Sequence, residues 1–314
     1  MGSTTRWIDR KTSGLEEAMD LLIDKVDSDD KGKTIAWSDW QINKVFAENR
    51  EILLNGRTIA YNMVSYRFEQ TSMDGAQHAE SMSSVKSGFI IAYKTESSLN
   101  YIIDQNSIAQ KMLRKLLSYN GRNEIERNMF ELSDDFFVWL INRMYKENCT
   151  IETGSDGSIM YELKIIRSFR GSVDDLQTKV SATGESVMNL ISTLSFLLES
   201  NSLNKIQIDM SGTEHENISL ILQSGTVSTE TKLYQEKYEL DNENEMIAKL
   251  YLMIYLEVIP NLLQEYISDM ENDIWNQEQY CAFLTDVATD LQGRIKGKID
   301  TLHAGHINTC ENFV

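Results

Sequence analysis

A glutamate and a lysine stand two positions apart in the stretch MYELKII, residues 160–166. If this stretch is a β-strand, Met160, Glu162, Lys164 and Ile166 share one face, because side chains alternate along a strand. A carboxylate on that face could hold a divalent cation, and the neighbouring ammonium group could steady an attacking water. The pair therefore has the residue types and the spacing for metal-dependent hydrolysis of a phosphodiester.

This arrangement resembles the metal-binding strand of restriction-type nucleases of the PD-(D/E)xK kind. A complete site needs a second carboxylate close to Glu162, because two acidic groups share the ion. Folding a hairpin at TGSDG leaves Glu152 about 13 Å from Glu162, at about 3.3 Å of rise per residue. The second acid would therefore come from a remote position such as Asp134 or Asp135. The opposite face of the strand is apolar, which also suits a half-buried strand with a solvated side.

A second group of candidate residues is basic and could bind phosphate. It begins on a predicted helix over residues 107–119, where apolar side chains recur at helical spacing. Residues 106–170 hold 10 Lys or Arg against 9 Asp or Glu. This near balance favours an ordinary solvated helix face, or a docking surface for an acidic neighbour, over a phosphate site. The candidate phosphate-binding residues are Lys111, Arg114, Lys115, Arg122 and Arg127, a group that Arg143, Arg167 and Arg170 could extend.

The net charge of −18 is concentrated in the C-terminal half of the chain. Residues 171–314 hold 8 Lys or Arg against 23 Asp or Glu, a local charge of −15. Such a surface repels a phosphate backbone, so we expect no contact with nucleic acid except through residues 106–170. The same surface could attract a basic protein. The simpler interpretation is that the acidity only keeps the protein soluble.

Cysteine usage and hydropathy favour a cytoplasmic protein without membrane insertion. The three cysteines are odd in number and none is spaced like a metal knuckle, as expected in a reducing compartment. The longest apolar stretch, residues 247–263, is short for a bilayer and contains Lys249, Glu257 and Pro260. We predict no cofactor, with a divalent metal required only if the chain is a nuclease.

The order of predicted elements indicates an α+β fold with antiparallel hairpins packed on helices. We predict two domains. Residues 1–148 would form a mixed N-terminal domain with a mobile loop at 71–87, a segment with little to bury. Residues 149–314 would form a C-terminal α+β domain ending in a helical hairpin at 243–302. Ser13 and Ser133 are the expected N-caps of two helices.

No complete catalytic set accompanies these elements, so we expect a role without catalysis. The leading hypothesis is an acidic protein-interaction module: a homo-oligomeric adaptor, or an inhibitor that covers the basic surface of a nucleic-acid-binding partner. Its general character suggests a setting in phage–host conflict, in antiviral defence or anti-defence. The alternatives are the metal-dependent nuclease that uses Glu162 and Lys164, and a nucleic-acid-sensing component of a defence system.

Overall fold

A computed structural model describes residues 2–24, 35–72, 82–121, 123–153, 159–172, 181–183, 195, 198 and 202–310. The chain divides into two compact units, each built from non-consecutive segments. Unit 1 comprises Met1–Glu131, Gly225–Thr231 and Tyr238–Ile259. Unit 2 comprises Leu132–Ser224, Lys232–Lys237 and Pro260–Val314. Each unit combines antiparallel strands with helices, so the predicted α+β class is confirmed.

Unit 1 is an antiparallel sheet with helices against it. The strands of this sheet are β1 (Thr5–Asp9), β2 (Ile35–Lys44), β3 (Arg50–Leu54), β4 (Arg57–Ser72), β5 (Met82–Lys94), β6 (Leu99–Ile103) and β7 (Ile125–Arg127). The unit also contains β13 (Thr226–Thr229), which is not part of this sheet. The strand order is β2-β4-β5-β6-β1-β7, and β3 also pairs with β4. Its helices are α1 (Leu15–Ile23), α2 (Ala109–Leu116) and α4 (Glu243–Met253).

The core of unit 1 lies between this sheet and helices α1 and α2. Both helices are amphipathic, because their apolar residues recur every three to four positions. Helix α1 buries Ala18, Met19 and Leu22, and α2 buries Met112 and Leu113. The strands meet them with buried aromatic and aliphatic side chains, including Trp37, Phe68, Ile90, Tyr101 and Ile103.

A two-residue turn joins β3 to β4 and also satisfies a carbonyl that a proline leaves free. Asn55 and Gly56 both have positive φ, of 48° and 71°, as a tight Asn-Gly hairpin requires. Helix α4 continues through a π-helical turn, Ile254–Val258, into α5 (Ile259–Glu271). Pro260 has no N–H to donate to the carbonyl of Leu256 four residues earlier. The side-chain amide of Asn55 donates to that carbonyl instead, at 3.1 Å.

In its described residues, unit 2 combines a second antiparallel sheet with helices. Its strands are β8 (Thr150–Thr153), β9 (Ile159–Ser172), β10 (Ser181–Thr183), β11 (Ser202–Gly212), β12 (His215–Gln223) and β14 (Gln235–Glu236). The strand order is β10-β9-β11-β12, with β8 beside β9 and β14 beside β12. The helical elements are α3 (Asp134–Tyr145), the α5 residues from Pro260 onward, and α6 (Gln277–Cys310).

Irregular register in β9 corrects the predicted alternation of this strand. Leu163 pairs with Met210 and Ile165 with Asp209, so Lys164 is an extra residue without a direct partner in β11. A second extra residue, Arg167, follows. Each such bulge shifts the alternation by one position. Ile166, which the sequence placed on the solvated face with Glu162, is therefore buried in the core.

Two further predictions are corrected. The predicted mobile loop at 71–87 is too wide, because residues 71–72 belong to β4 and 82–87 to β5, while residues 73–81 lie outside the described residues.

The N-cap of α1 is Gly14 and not Ser13. The other predicted cap is confirmed, since the side chain of Ser133 accepts a hydrogen bond from the amide of Phe136 at 3.2 Å. The predicted helical hairpin at 243–302 corresponds to α4, α5 and α6.

One helical stretch in the described part of the chain, Glu243–Glu271, has the length and apolar composition needed to cross a membrane. In its most apolar window, 67% of the residues are buried within the protein.

Candidate protein-interaction surface

The predicted nuclease residues lie on an exposed part of β9. Glu162 and Lys164 are both exposed, and the ammonium group of Lys164 donates to the carbonyl of Glu216 at 2.7 Å. The cross-strand neighbours of Glu162 are Thr150 on β8 and Ser211 on β11. Among the described strands, the immediate partners of Glu162 are therefore hydroxyl residues and not carboxylates.

The acid predicted to complete a metal site, Asp134, is exposed in the first turn of α3. The strand that pairs with β9 at Glu162 is β8, and β8 follows the C-terminal end of α3, opposite to Asp134. A helix of 12 residues is about 18 Å long. Within the described ranges, no group of three or more His, Cys, Asp or Glu side chains is placed to hold a metal ion.

The predicted phosphate-binding residues are divided between two elements of unit 1. Lys111, Arg114 and Lys115 share a face of α2, whereas Arg127 lies on the edge strand β7. The ammonium group of Lys111 lies 4.4 Å from the ring centre of Trp37. Arg114 and Arg127 each donate to a backbone carbonyl at 2.7 Å. Lys111, Arg114 and Arg127 therefore each make a contact within the protein, and no contact among the described residues brings the two groups to one phosphate site. Arg122 lies outside the described residues.

A group of buried and partly buried hydrogen bonds, which the sequence did not suggest, joins α5 and the start of α6 to α3 in unit 2. The carboxylate of Asp135, in the first turn of α3, accepts from the hydroxyl of Tyr266 at 2.6 Å and from the indole of Trp275 at 2.8 Å. Burial, together with the bond to this carboxylate, raises the pKa of Tyr266 to about 12. In the other direction, Asp269 on α5 accepts from the indole of Trp139 on α3 at 2.8 Å.

Arg143 completes this network from α3. Its guanidinium is buried and contacts Glu265 at 2.8 Å and Asp269 at 3.0 Å. It also donates to the backbone carbonyls of Asn148 and Thr150, at 3.1 Å and 2.7 Å. With its donors engaged in this way, Arg143 is a structural cation rather than a binding residue. The network makes the turn between α5 and α6 a rigid part of unit 2.

This rigid turn carries exposed apolar residues surrounded by acids. Ile267 and Met270 share one face of α5, with 47% and 39% of their surface exposed. Ile274 follows in the turn and is 58% exposed, whereas the next residue, Trp275, is only 2% exposed. We call the exposed residues of this turn the acidic corner. Its members are Ile267, Met270, Glu271, Asp273, Ile274 and Glu278.

The sequence around the acidic corner has no positive charge over a long distance. Between Lys249 and Arg294 there is no Lys, Arg or His, whereas eight Asp or Glu residues occur. Two of these eight, Glu265 and Asp269, pair with Arg143. The carboxylates of the corner therefore have no basic neighbour along the chain. This gap in the sequence was the signal that could have located the surface.

Unit 1 has a cavity of about 580 Å³, a volume within the range of ligand pockets. It lies beside the Asn-Gly turn and the π-helical turn. Its charged side chains are Arg57 and Glu96, and the rest of its wall is mostly backbone and threonine and aliphatic side chains. Among the described residues that line the cavity, there is no nucleophile beside a base and no acid–base pair, so the cavity indicates no particular reaction.

The chain matches no known protein family, and comparison with curated proteins finds no significant relative.

Proposed function

We propose that this chain is a non-enzymatic protein-interaction module whose acidic corner binds a basic surface of a partner protein. The observation that carries this proposal is the combination of three exposed apolar side chains, Ile267, Met270 and Ile274, with three exposed carboxylates on a rigid turn. Apolar side chains rimmed by polar groups are typical of protein-binding sites. The carboxylates then select a partner of opposite charge and speed its association.

Rigidity supports this proposal because a preformed surface loses little conformational entropy on binding. The network of Asp135, Arg143 and Asp269 already orders the helices that present the corner. A partner therefore has only to cover the apolar side chains and place Lys or Arg opposite Glu271, Asp273 and Glu278. Proteins that bind nucleic acid have such surfaces, because they must neutralise phosphates.

We propose accordingly that the partner is a basic nucleic-acid-binding protein and that this chain acts as its inhibitor or as an oligomeric adaptor. The setting we propose is the cytoplasm, in phage–host conflict, with no membrane insertion. Self-association follows the same electrostatic logic, because the basic face of α2 in one copy complements the acidic half of another. Light scattering of the purified protein at low and high salt tests this last point.

The test of the main proposal compares two triple variants with the same change in net charge. The corner variant is Glu271→Lys, Asp273→Lys and Glu278→Lys. The control is Glu51→Lys, Glu152→Lys and Glu216→Lys, which alters exposed acids elsewhere. Each protein is used as bait in a lysate of the native host. We expect a basic partner recovered in stoichiometric amount with the wild type and the control, and lost with the corner variant.

A third variant, Ile274→Ser, removes apolar surface without a charge change and should weaken binding of that partner about tenfold. Equal recovery of the partner by all variants would contradict the proposal. The nuclease alternative is tested with the same preparations. Mg²⁺-dependent cleavage of DNA by the wild type that is lost in Glu162→Gln would replace the interaction module by an enzyme.

A further inference from the structure

Two positive side chains stand directly opposite each other in the sheet of unit 2. Arg170 on β9 pairs with Lys205 on β11 in the antiparallel register. Directly opposite residues have Cβ atoms about 5 Å apart and project from the same face. Both side chains are half-buried. Like charges in this position destabilise a sheet, so the pair needs a reason that lies outside the fold.

Neither cation is neutralised by the part of the protein that the structure describes. Arg170 and Lys205 make no ion pair there, and the Nε of Arg170 is buried without a hydrogen-bond partner. A buried donor left without an acceptor costs about 1–3 kcal/mol. Replacing Arg170 by a neutral residue would remove this penalty, and replacing either residue would remove the repulsion between the two charges.

The nearest acid on the same face is already engaged. Lys205, Gln207 and Asp209 occupy alternate positions of β11, so their side chains share a face. The carboxylate of Asp209 forms an ion pair with Arg167, whose Nε lies 2.6 Å from it. Arg167 is the extra residue at the second bulge of β9, and the bulge places its guanidinium at this acid. Asp209 is therefore paired with Arg167 through one oxygen, Oδ2, while its Oδ1 is buried without a hydrogen-bond partner.

We propose that Arg170 and Lys205 form a binding site for a phosphate group. A guanidinium offers two parallel donors that match two phosphate oxygens, and an ammonium group adds a compact point charge for a third. A phosphate can therefore accept at once from the terminal guanidinium nitrogens of Arg170 and from the ammonium group of Lys205. Ser168 and Gln207, which pair across the same two strands, extend this face with a hydroxyl and an amide. The phosphate comes either from a small phosphorylated molecule or from the backbone of a nucleic acid.

This site is separate from the acidic corner in sequence and in charge. It uses none of the corner residues, and it attracts an anion where the corner attracts a cation. Loss of phosphate binding would leave the proposed function intact, and loss of partner binding in the corner variant would leave the phosphate site intact. The two proposals can therefore fail independently.

The test follows the melting temperature of the full-length protein in the presence of pyrophosphate or of a 20-nucleotide single-stranded oligo-dT. Sodium chloride of equal ionic strength controls for charge screening. Ligands that bind the folded state raise the melting temperature in a saturable way. We expect saturable stabilisation of the wild type, and an affinity about tenfold weaker in Arg170→Gln, since a charge-assisted donor is lost. Lys296→Gln, on an exposed part of α6, is the matched control and should respond like the wild type.

Lys205→Glu supplies a second readout that misfolding would not imitate. It converts the like-charge pair into an ion pair with Arg170, so we expect it to melt at a higher temperature than the wild type without ligand and to lose the response to ligand. A response to pyrophosphate supports a free phosphorylated ligand, and a salt-sensitive response to oligo-dT alone supports a nucleic-acid backbone. No response to either probe, or equal responses in Arg170→Gln, Lys205→Glu and Lys296→Gln, would overturn the site.

Discussion

His215 is a buried histidine whose surroundings hold it neutral. Its Nδ1 lies 2.7 Å from the hydroxyl of Tyr234, and 6% of its surface is exposed. Burial lowers the pKa of His215 to about 4, and the positive charge of Lys237 adds a smaller effect in the same direction. Glu214 acts in the opposite direction but is itself paired with Lys237. The imidazole therefore stays neutral in the folded protein under conditions where an unfolded chain would protonate it.

This shift predicts a loss of stability in mild acid. The unfolded state takes up a proton near pH 6.5, while the folded state resists until about pH 4, so the free energy of unfolding falls as the pH drops through that window. We expect the contribution of His215 to reach up to about 3 kcal/mol. Urea unfolding at pH 7, 5.5 and 4.5 measures it. His215→Phe should flatten the pH dependence, and the exposed control His303→Gln should not. Parallel curves for all three proteins would contradict this account.

Arg143 is the residue on which the buried network of unit 2 depends most. Arg143→Met would leave the carboxylates of Glu265 and Asp269 without their cation, and we expect a loss of about 3–5 kcal/mol in the free energy of unfolding. The triple variant Arg143→Met, Glu265→Gln and Asp269→Asn removes the uncompensated charges as well, so it should recover part of the loss. Urea unfolding of both variants decides the matter. Equal stability of the single variant and the wild type would show that the network is dispensable.

At the scale of elements, the Asn-Gly turn couples a hairpin to the helix that contains Pro260. Asn55→Gly keeps the left-handed backbone of the turn, because glycine adopts positive φ freely, and removes only the side-chain amide. The carbonyl of Leu256 would then lose this donor, and Pro260 cannot replace it. We expect a loss of about 1 kcal/mol, measured as a lower urea midpoint with an unchanged slope.

Asn55→Ala provides the comparison for this prediction. It removes the same amide and also places a Cβ in the left-handed region, so it should cost about 1–2 kcal/mol more than the glycine variant. If Asn55→Gly is as stable as the wild type, the amide contributes nothing, and the π-helical turn alone accommodates the proline.

Elements with strong local signals could be predicted from the sequence, and those set by pairing between distant strands could not. Ser133 followed by two aspartates marks the start of α3, because capping and charge at a helix N-terminus act within one turn. The position of Ile166 was wrong because bulges opposite β11 are not encoded in the alternation of β9 alone. Asn55 and Gly56 are a strong hairpin signal, but the residues before them, 35–53, mix helical and strand periods, so no turn was predicted there.

The candidate surfaces show the same limit. The acidity of the C-terminal half was evident, but the acidic corner needs the knowledge that Ile274 is exposed while Trp275 is buried. The indole of Trp275 donates to Asp135 and its ring packs near Tyr280, contacts that an aliphatic side chain such as Ile274 cannot form in the same way. Likewise, the opposition of Arg170 and Lys205 depends on a strand register that spans 35 positions of sequence. Contacts of this kind are set by the fold as a whole.

At the scale of the whole molecule, the two units are interleaved along the chain. Unit 1 includes residues 238–259 in addition to its N-terminal segment. Tyr251 and Tyr255 from that later segment are fully buried, and the hydroxyl of Tyr255 lies 3.1 Å from the hydroxyl of Thr4. Phe89 packs on Tyr251 with ring centres 5.5 Å apart. The N-terminal segment thus depends for its core on residues that follow most of unit 2.

This interleaving predicts that a fragment ending at the sequence-based boundary, residues 1–148, does not fold on its own. The fragment would expose the apolar surface that Tyr251 and Tyr255 cover, and it would leave the buried guanidinium of Arg6 without the carbonyl of Tyr255 and the ring beneath it. We expect no cooperative unfolding transition in urea and a near-ultraviolet circular dichroism signal without fine structure. Adding the complementary fragment 149–314 should restore both, because it supplies the missing helix. Cooperative unfolding of the fragment 1–148 by itself would contradict this prediction. It would show that the core formed by β1–β7 and α1–α2 is sufficient for folding and that unit 1 does not need the segment 238–259.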